Sequence, residues 1–296
     1  MGRHPLTVGG SSWMSAGMGQ RPVMQNQQRV RQAEMLPSGG EPHPAATLDP
    51  GGGFTDRIRQ VLASGGVAVV FQPVWDLQRY RDHDAGIVGF EVLARISDGG
   101  AAATPDVWFA AAAAASLETE LQLAVARSAF TDAAGLPPGA YVSLNVSPAV
   151  AVAADFAAFL DSFPLDRMVL EVSQHATIDD YEVVIEALGG HRRRGLRLAI
   201  DDVGAGLASL SHVLSLDPDI IKIDLSIIRG VDADTARQSL TASFVSLAGV
   251  VGAAAVAEGI ETKDELRTLL ELGVDHGQGY LLTPPSPAAR FTDTAA

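Results

Sequence analysis

The sequence predicts an α/β chain closed as an eight-stranded barrel, with helices outside the strands. Three observations point there. From Phe54 onward, short apolar runs alternate with longer amphipathic stretches. From the second run on, every gap is long enough for a crossover helix, as parallel strands require, whereas the first gap, Gln72–Gly86, shows no helical pattern and suits an antiparallel pair. Nearly every run carries a polar residue at or near its C-terminal end, the edge where barrels build their sites.

The predicted strands are Val67–Phe71, Ile87–Ala94, Tyr141–Val146, Met168–Val172, Leu196–Ile200, Ile220–Ile223, Ala253–Ala257 and Gly277–Leu281. All but the last are rich in Val, Ile, Leu or Ala, as strands buried on both faces are. Helices are expected over Pro105–Ala134, Asp180–Arg194, Ala233–Val250 and Lys263–Leu272. The alanine-rich stretch 109–116 reads as close helix packing. An open doubly wound sheet is the alternative, but it would show a phosphate-binding glycine loop after the first strand, and none is present. Residues 1–52, rich in Gly, Met, Gln and Pro without periodicity, read as a flexible N-terminal extension.

Composition narrows the chemistry. The 296 residues, 47% hydrophobic, suffice for one large domain, and the absence of cysteine removes disulfides, thiolate metal sites and cysteine nucleophiles. A formal net charge of −14 argues against duplex nucleic acid or an anionic membrane as partner. The longest apolar stretch, Phe244–Ala257, is too short and too rich in Gly and Ala to span a membrane, and the N-terminus lacks a secretory pattern, so a cytoplasmic protein is expected.

The polar residues at the strand ends are Glu91 in "GFEVLAR", Asn145 in "YVSLN", Glu171 in "MVLE", Asp201 and Asp202 after "LRLAI", Lys222 and Asp224 in "IIKID", Glu258 after "AAAVA", Glu261 three residues later, and Gln278 in the last run. Five or six carboxylates on one mouth repel one another unless cations sit among them or some are protonated. Oxygen donors without His or Cys point to Mg²⁺, Mn²⁺ or Ca²⁺. Adjacent aspartates can serve two neighbouring metals, the arrangement suited to in-line phosphoryl displacement, with Lys222 as an added cation. Singly, each residue has a plainer reading: Asp202 as a helix cap, Asn145 as a turn, Gln278 as barrel filler. Taken together they favour a site. His175 and His276 also fall near this edge and read as supporting or structural.

With these motifs in order, the chain resembles the EAL-domain family of cyclic di-GMP phosphodiesterases over about 68–286, through "FQPVWDL", "IVGFEVLAR", "YVSLNVSP", "VLEVSQ", "LAIDDVGAG", "DIIKID", "VAEGIET" and "QGYLLTPP". The resemblance implies a TIM-like (β/α)8 barrel whose first strand pairs antiparallel, an EAL phosphodiesterase domain over 53–296, and hydrolysis of cyclic di-GMP to linear pGpG with two Mg²⁺ or Mn²⁺ ions. Carried over, it makes Glu91, Asn145, Glu171, Asp201, Asp202 and Glu258 metal ligands, and gives catalytic roles to Glu91, Lys222 and Glu258. It assigns Gln72, Arg95, Glu261 and Gln278 to the substrate. It also implies a homodimer, with the N-terminal extension free to meet a regulatory protein. Competing readings are a non-catalytic cyclic di-GMP receptor or interaction module, and a barrel lyase of the enolase type, which the ordered motifs oppose.

Two departures from the family pattern stand out. The signature alanine is Val92, which leaves Glu91 in place. The loop after the aspartates reads Val203-Gly204-Ala205-Gly206-Leu207, and the residue that the family uses to anchor it is Gln174 rather than glutamate. A neutral amide facing Ala205, which has no hydroxyl, gives a weaker hold than a carboxylate facing threonine; alternatively Gln174 and Ala205 are a matched pair, with Val203 and Leu207 holding the loop by packing. The first reading predicts that Gln174→Glu combined with Ala205→Thr raises turnover and lowers the Mn²⁺ concentration for half-maximal rate. Unchanged kinetics in the double variant would favour the matched pair.

Overall fold

The computed structural model describes residues 53–81, 86–99, 103–173, 178–204 and 215–292. Eight strands close a barrel in sequence order: β1 (Val67–Asp76), β2 (Ile87–Ile96), β3 (Tyr141–Val146), β4 (Met168–Ser173), β5 (Arg197–Val203), β6 (Ile220–Ile223), β7 (Ala254–Ala257) and β8 (His276–Gly277). Strand β1 runs antiparallel to both β2 and β8, and the other neighbours are parallel. The short first gap therefore carries the inverted strand, with one small helix, Leu77–Arg81, inside it.

Three expectations are corrected. The predicted helix over Pro105–Ala134 is two helices, Pro105–Ala114 and Glu118–Asp132. The break falls at Ser116, whose φ of 55° lies in the left-handed region that a continuous helix cannot contain. The last strand pairs only at His276 and Gly277, not over Gly277–Leu281, because the chain turns at Gly279. His276 does not sit at the carboxylate edge: it pairs with Asp76, at the barrel's opposite end, where burial holds its imidazole neutral against the pull of Asp275 and Asp76.

Two apolar layers hold the barrel. The outer one lies between strands and helices and includes Phe71, Phe90, Trp108, Leu121, Phe156 and Met168. The inner one, Val74, Tyr141, Val169, Ala199, Ile220 and Val256, fills the barrel below the polar mouth. Tyr141 is the largest of these, with the Arg197 guanidinium over its ring at 5.0 Å. Its ring lies where a side chain at Gly89, its register partner, would be: a Cβ there would overlap Tyr141 Cζ, Cε2 and Cδ2. "IVGFE" thus needs glycine two residues before Glu91 so that the barrel floor can be filled. No helix among the described residues is long and apolar enough to cross a membrane.

Gly89→Ala is expected to destabilise the protein by about 1–3 kcal/mol, the usual cost of overpacking. Tyr141→Leu, which clears the clash, should recover part of that loss, as read from chemical denaturation midpoints; no recovery would mean that the glycine is needed for another reason.

Candidate metal and active site

The polar mouth is built on Lys222, which lies inside the barrel on β6 and is 2% exposed. Its Nζ lies 2.6 Å from Glu258 Oε1, 2.7 Å from Glu171 Oε2, 2.9 Å from Asp201 Oδ1 and 3.6 Å from Glu91 Oε2. The contact with Glu171 is a hydrogen bond; Asp201 Oδ1 is close without accepting one, an ion pair rather than a hydrogen bond. Gln278 completes the cage: its Nε2 donates to Glu91 Oε2 at 2.6 Å and to Glu258 Oε1 at 3.4 Å. Asn145 Nδ2 donates to Glu91 Oε1 at 3.2 Å from the exposed rim.

Consecutive residues of a regular strand point to opposite faces, so the convergence of Asp201 and Asp202 needs a device. The register of β5 on β6 shifts between Ile200 and Val203, and Asp202 has φ of 57°. This bulge turns the second aspartate back towards the first. Oxygens of Asp201, Asp202 and Glu258 consequently lie within 4.8 Å of one another. Aspartate tolerates the left-handed region better than a branched residue does, which suits this sequence to the bend.

One ammonium faces four carboxylates, and the protonation behaviour reflects it. Burial pushes the Glu171 carboxyl up to about 8, outweighing the lowering by Lys222, with Glu91 and Asp201 adding to the rise. Burial likewise holds Glu258 well above the carboxylate range, against Lys222 and together with Asp201 and Glu91. Lys222 is held charged: burial opposes this, but Glu171, Glu258, Glu91 and Asp201 overcome it. The cage is thus short of positive charge. Its donors are all oxygens, and three of them converge as hard divalent cations require, so the residues present fit Mg²⁺ or Mn²⁺.

The other sequence candidates lie around this cage. Gln72 is buried opposite Glu91 in the β1–β2 register, its Nε2 donating to Thr283 O at 3.4 Å. Arg95, on β2 near the same rim, donates to Ala94 O at 2.9 Å, and burial lowers its pKa despite Tyr280 nearby. Glu261 stands apart from the cage, exposed and paired with Arg229 Nη2 at 2.7 Å. Asp224 caps the helix Leu225–Ile228 through Ser226 N at 2.8 Å and plays a structural part. Gln174, Ala205 and His175 lie outside the described residues. Two neighbours went unremarked in the sequence. Ser143, buried opposite Glu91, has a hydroxyl with no hydrogen bond, and Arg229 is unmarked in "IIRG". Only the alternation of β3, which puts Ser143 on the same face as Asn145, could have signalled the first.

The family profile described as "EAL domain" matches residues 55–285. The chain belongs to the EAL-domain family. Among curated relatives, it is 26% identical over 253 residues to the probable cyclic di-GMP phosphodiesterase PdeB of Escherichia coli, covering 79% of this chain and 46% of that protein. It is 28% identical over 151 residues to the cyclic di-GMP phosphodiesterase PdeA of Borreliella burgdorferi, covering 49% of this chain and 22% of that one. The chain therefore spans less than half the length of either relative. Among solved structures, Klebsiella pneumoniae BlrP1 in complex with calcium and cyclic di-GMP superposes with a TM-score of 0.66 at 29% identity, covering 75% of this chain and 56% of that one. An EAL-domain protein of Listeria monocytogenes shares the fold with a TM-score of 0.70 at 23% identity, covering 81% and 96%.

Because Glu171 binds its proton more tightly folded than unfolded, the stability it contributes is complete below the ordinary carboxylate range and is lost as pH rises through about 8. Metal-free protein is therefore expected to melt progressively lower from pH 6 to pH 8.5, and Mg²⁺ or Mn²⁺ to raise the melting temperature most at the upper end, as read by thermal shift in EDTA and in metal. A metal-free profile that rises over this window would contradict the charge-starved cage.

Proposed function

We propose that this chain is a metal-dependent phosphodiesterase that hydrolyses one phosphodiester of cyclic di-GMP to give linear pGpG. The observation that carries the reading is the all-oxygen cage around Lys222, with Asp201 and Asp202 turned to the same side by the β5 bulge. The naming of curated relatives as cyclic di-GMP phosphodiesterases supports it, as do the BlrP1 complexes with cyclic di-GMP and calcium or manganese. The catalytic unit in this reading is residues 53–296, with 1–52 as an extension to it, and the enzyme works as a homodimer.

Glu91, Asn145, Glu171, Asp201, Asp202 and Glu258 would hold two Mg²⁺ or Mn²⁺ ions. When bound, such ions supply a water that ionises near neutral pH and positive charge facing the phosphoryl oxygens. The chain's own groups do the rest. Gln278 and Asn145 fix the Glu91 carboxylate from either side through their amide N–H groups. Lys222 and Glu258 place a donor and a proton acceptor side by side, 2.6 Å apart, to orient the attacking water and take its proton. Arg95, at the rim, is placed to meet a substrate phosphate, and Gln72 and Glu261 flank the mouth for the rest of the nucleotide.

Incubation with cyclic di-GMP and Mn²⁺, followed by chromatography, should show pGpG that disappears in excess EDTA. Glu91→Gln should abolish turnover in a folded protein, and Lys222→Ala should lower it about a hundredfold or more, the usual loss of one preorganised charge at the transition state. Full activity in EDTA would refute the metal role. Tight binding of cyclic di-GMP without conversion by the wild type would make the protein a receptor instead.

A further inference from the structure

We propose that Glu265 is a positioning residue: a buried carboxylate that ties two loops of the barrel mouth together and thereby sets where Glu258 and Glu261 stand. Its activity arm rests on the phosphodiesterase reading above; its structural arm does not.

Glu265 lies in the first turn of the helix Lys263–Glu271 and is 3% exposed. Part of its role is ordinary. Thr262 Oγ1 accepts from Glu265 N at 3.1 Å and Glu265 Oε2 accepts from Thr262 N at 2.9 Å, the reciprocal capping box that "TKDE" announces. The rest is not required for a helix start. The same Oε2 also accepts from Glu261 N at 3.0 Å, and Oε1 accepts from Gly230 N at 2.8 Å, in a different loop. Three backbone amides thus converge on one carboxylate. Burial pushes its carboxyl up, but the amides of Gly230, Glu261 and Thr262 outweigh this and keep it below the usual range.

The two amides come from informative places. Gly230 directly follows Arg229, and Arg229 pairs with Glu261 at 2.7 Å on the surface above. That pair is exposed at both ends, and such pairs contribute little on their own. The buried charge-assisted hydrogen bonds beneath it are the stronger tie. On the other side the segment 258–262 is fastened to the chain just past β8: Ile260 N donates to Gln278 O and Leu281 N to Ile260 O, each at 3.1 Å. The approach is so close that a Cβ on Gly279 would overlap the Ile260 backbone. Pinned at Ile260 by the chain just past β8 and at Glu261 and Thr262 by Glu265, the segment presents Glu258 to Lys222 and carries Glu261, paired with Arg229, on its exposed side.

Glu265→Gln keeps the shape but offers one carbonyl oxygen, so its NH₂ must face either Gly230 N or the Glu261–Thr262 pair, donor against donor. One loop is then released. Thr262→Ala is the control, because it weakens the helix start and leaves the carboxylate. Both variants should melt lower than wild type. Hydrogen exchange read by mass spectrometry should rise at Gly230 or at 261–262, whichever side the NH₂ faces, in Glu265→Gln, and not at Gly230 in Thr262→Ala. With cyclic di-GMP and Mn²⁺, Glu265→Gln should raise KM and the half-saturating Mn²⁺ by about tenfold, the scale of one lost charged hydrogen bond, while Thr262→Ala should leave both near wild type. Unchanged protection at both Gly230 and 261–262 in Glu265→Gln overturns the tie, and an equal kinetic shift in Thr262→Ala reduces Glu265 to a helix cap. If the wild type shows no turnover, the exchange arm still decides the tie, and the phosphodiesterase reading alone fails. If Glu265→Gln does not fold, Glu265→Asp, one methylene short of Gly230, reads the same exchange.

Discussion

The ammonium of Lys222 sits where four strands deliver carboxylates, and most of what the mouth can do follows from that imbalance. A buried charge is tolerable only when paired, and breaking such a pair by removing one partner costs on the order of 3–5 kcal/mol. Here the pairing is unequal in the other direction: Lys222 is satisfied several times over, and the carboxylates are not. Two of them respond by holding protons more tightly than an ordinary carboxylate: Glu171, pushed up to about 8 by burial, and Glu258, raised by burial in the same direction. A proton is one answer to the shortage and a divalent cation is the other, so the geometry that crowds the carboxylates also makes the mouth a candidate cation site.

That imbalance is a product of topology. In a parallel barrel the strand ends of one edge are neighbours regardless of their distance in sequence, so Glu91 and Gln278 meet across 187 residues. The inverted β1 adds Gln72 opposite Glu91, which a parallel first strand would present in a different register. The β5 bulge makes two neighbours in sequence act as neighbours in space. Glycine permits the close approaches: Gly89 admits Tyr141 beneath the cage, and Gly279 lets the Ile260 backbone lie against β8.

The barrel was legible because strands buried on both faces need uninterrupted Val, Ile, Leu and Ala, and because the first gap is too short for a crossover. The cage was legible for the same reason, since its members interrupt or end those runs. What escaped has physical causes. β8 is only His276 and Gly277, registered with β1 on one side and β7 on the other, too short to leave a pattern. The helix break at Ser116 lies in an alanine-rich stretch whose propensity argues for continuation. His276 was expected near the mouth, beside a strand over Gly277–Leu281, whereas the strand begins at His276 and is spent one residue later. Glu265 was not singled out, because the amide of Gly230 that it accepts from is supplied by the fold. The assignments to Gln174 and Ala205 concern residues outside those described.

The net charge of −14 opposes the approach of an anionic nucleotide. Screening resolves part of this, since at physiological salt the field of distant surface carboxylates fades over about 8 Å. What a phosphodiester meets at the mouth is then local: the carboxylate cage, with Arg95 near its rim. Without cations the cage repels it. Once the cage is neutralised the sign reverses, and the Arg95 guanidinium adds to the attraction. In the function proposed here, cation binding therefore precedes productive substrate binding for electrostatic reasons alone. The same order protects the site, because a cage that must first be filled does not draw in phosphates that the chain cannot process.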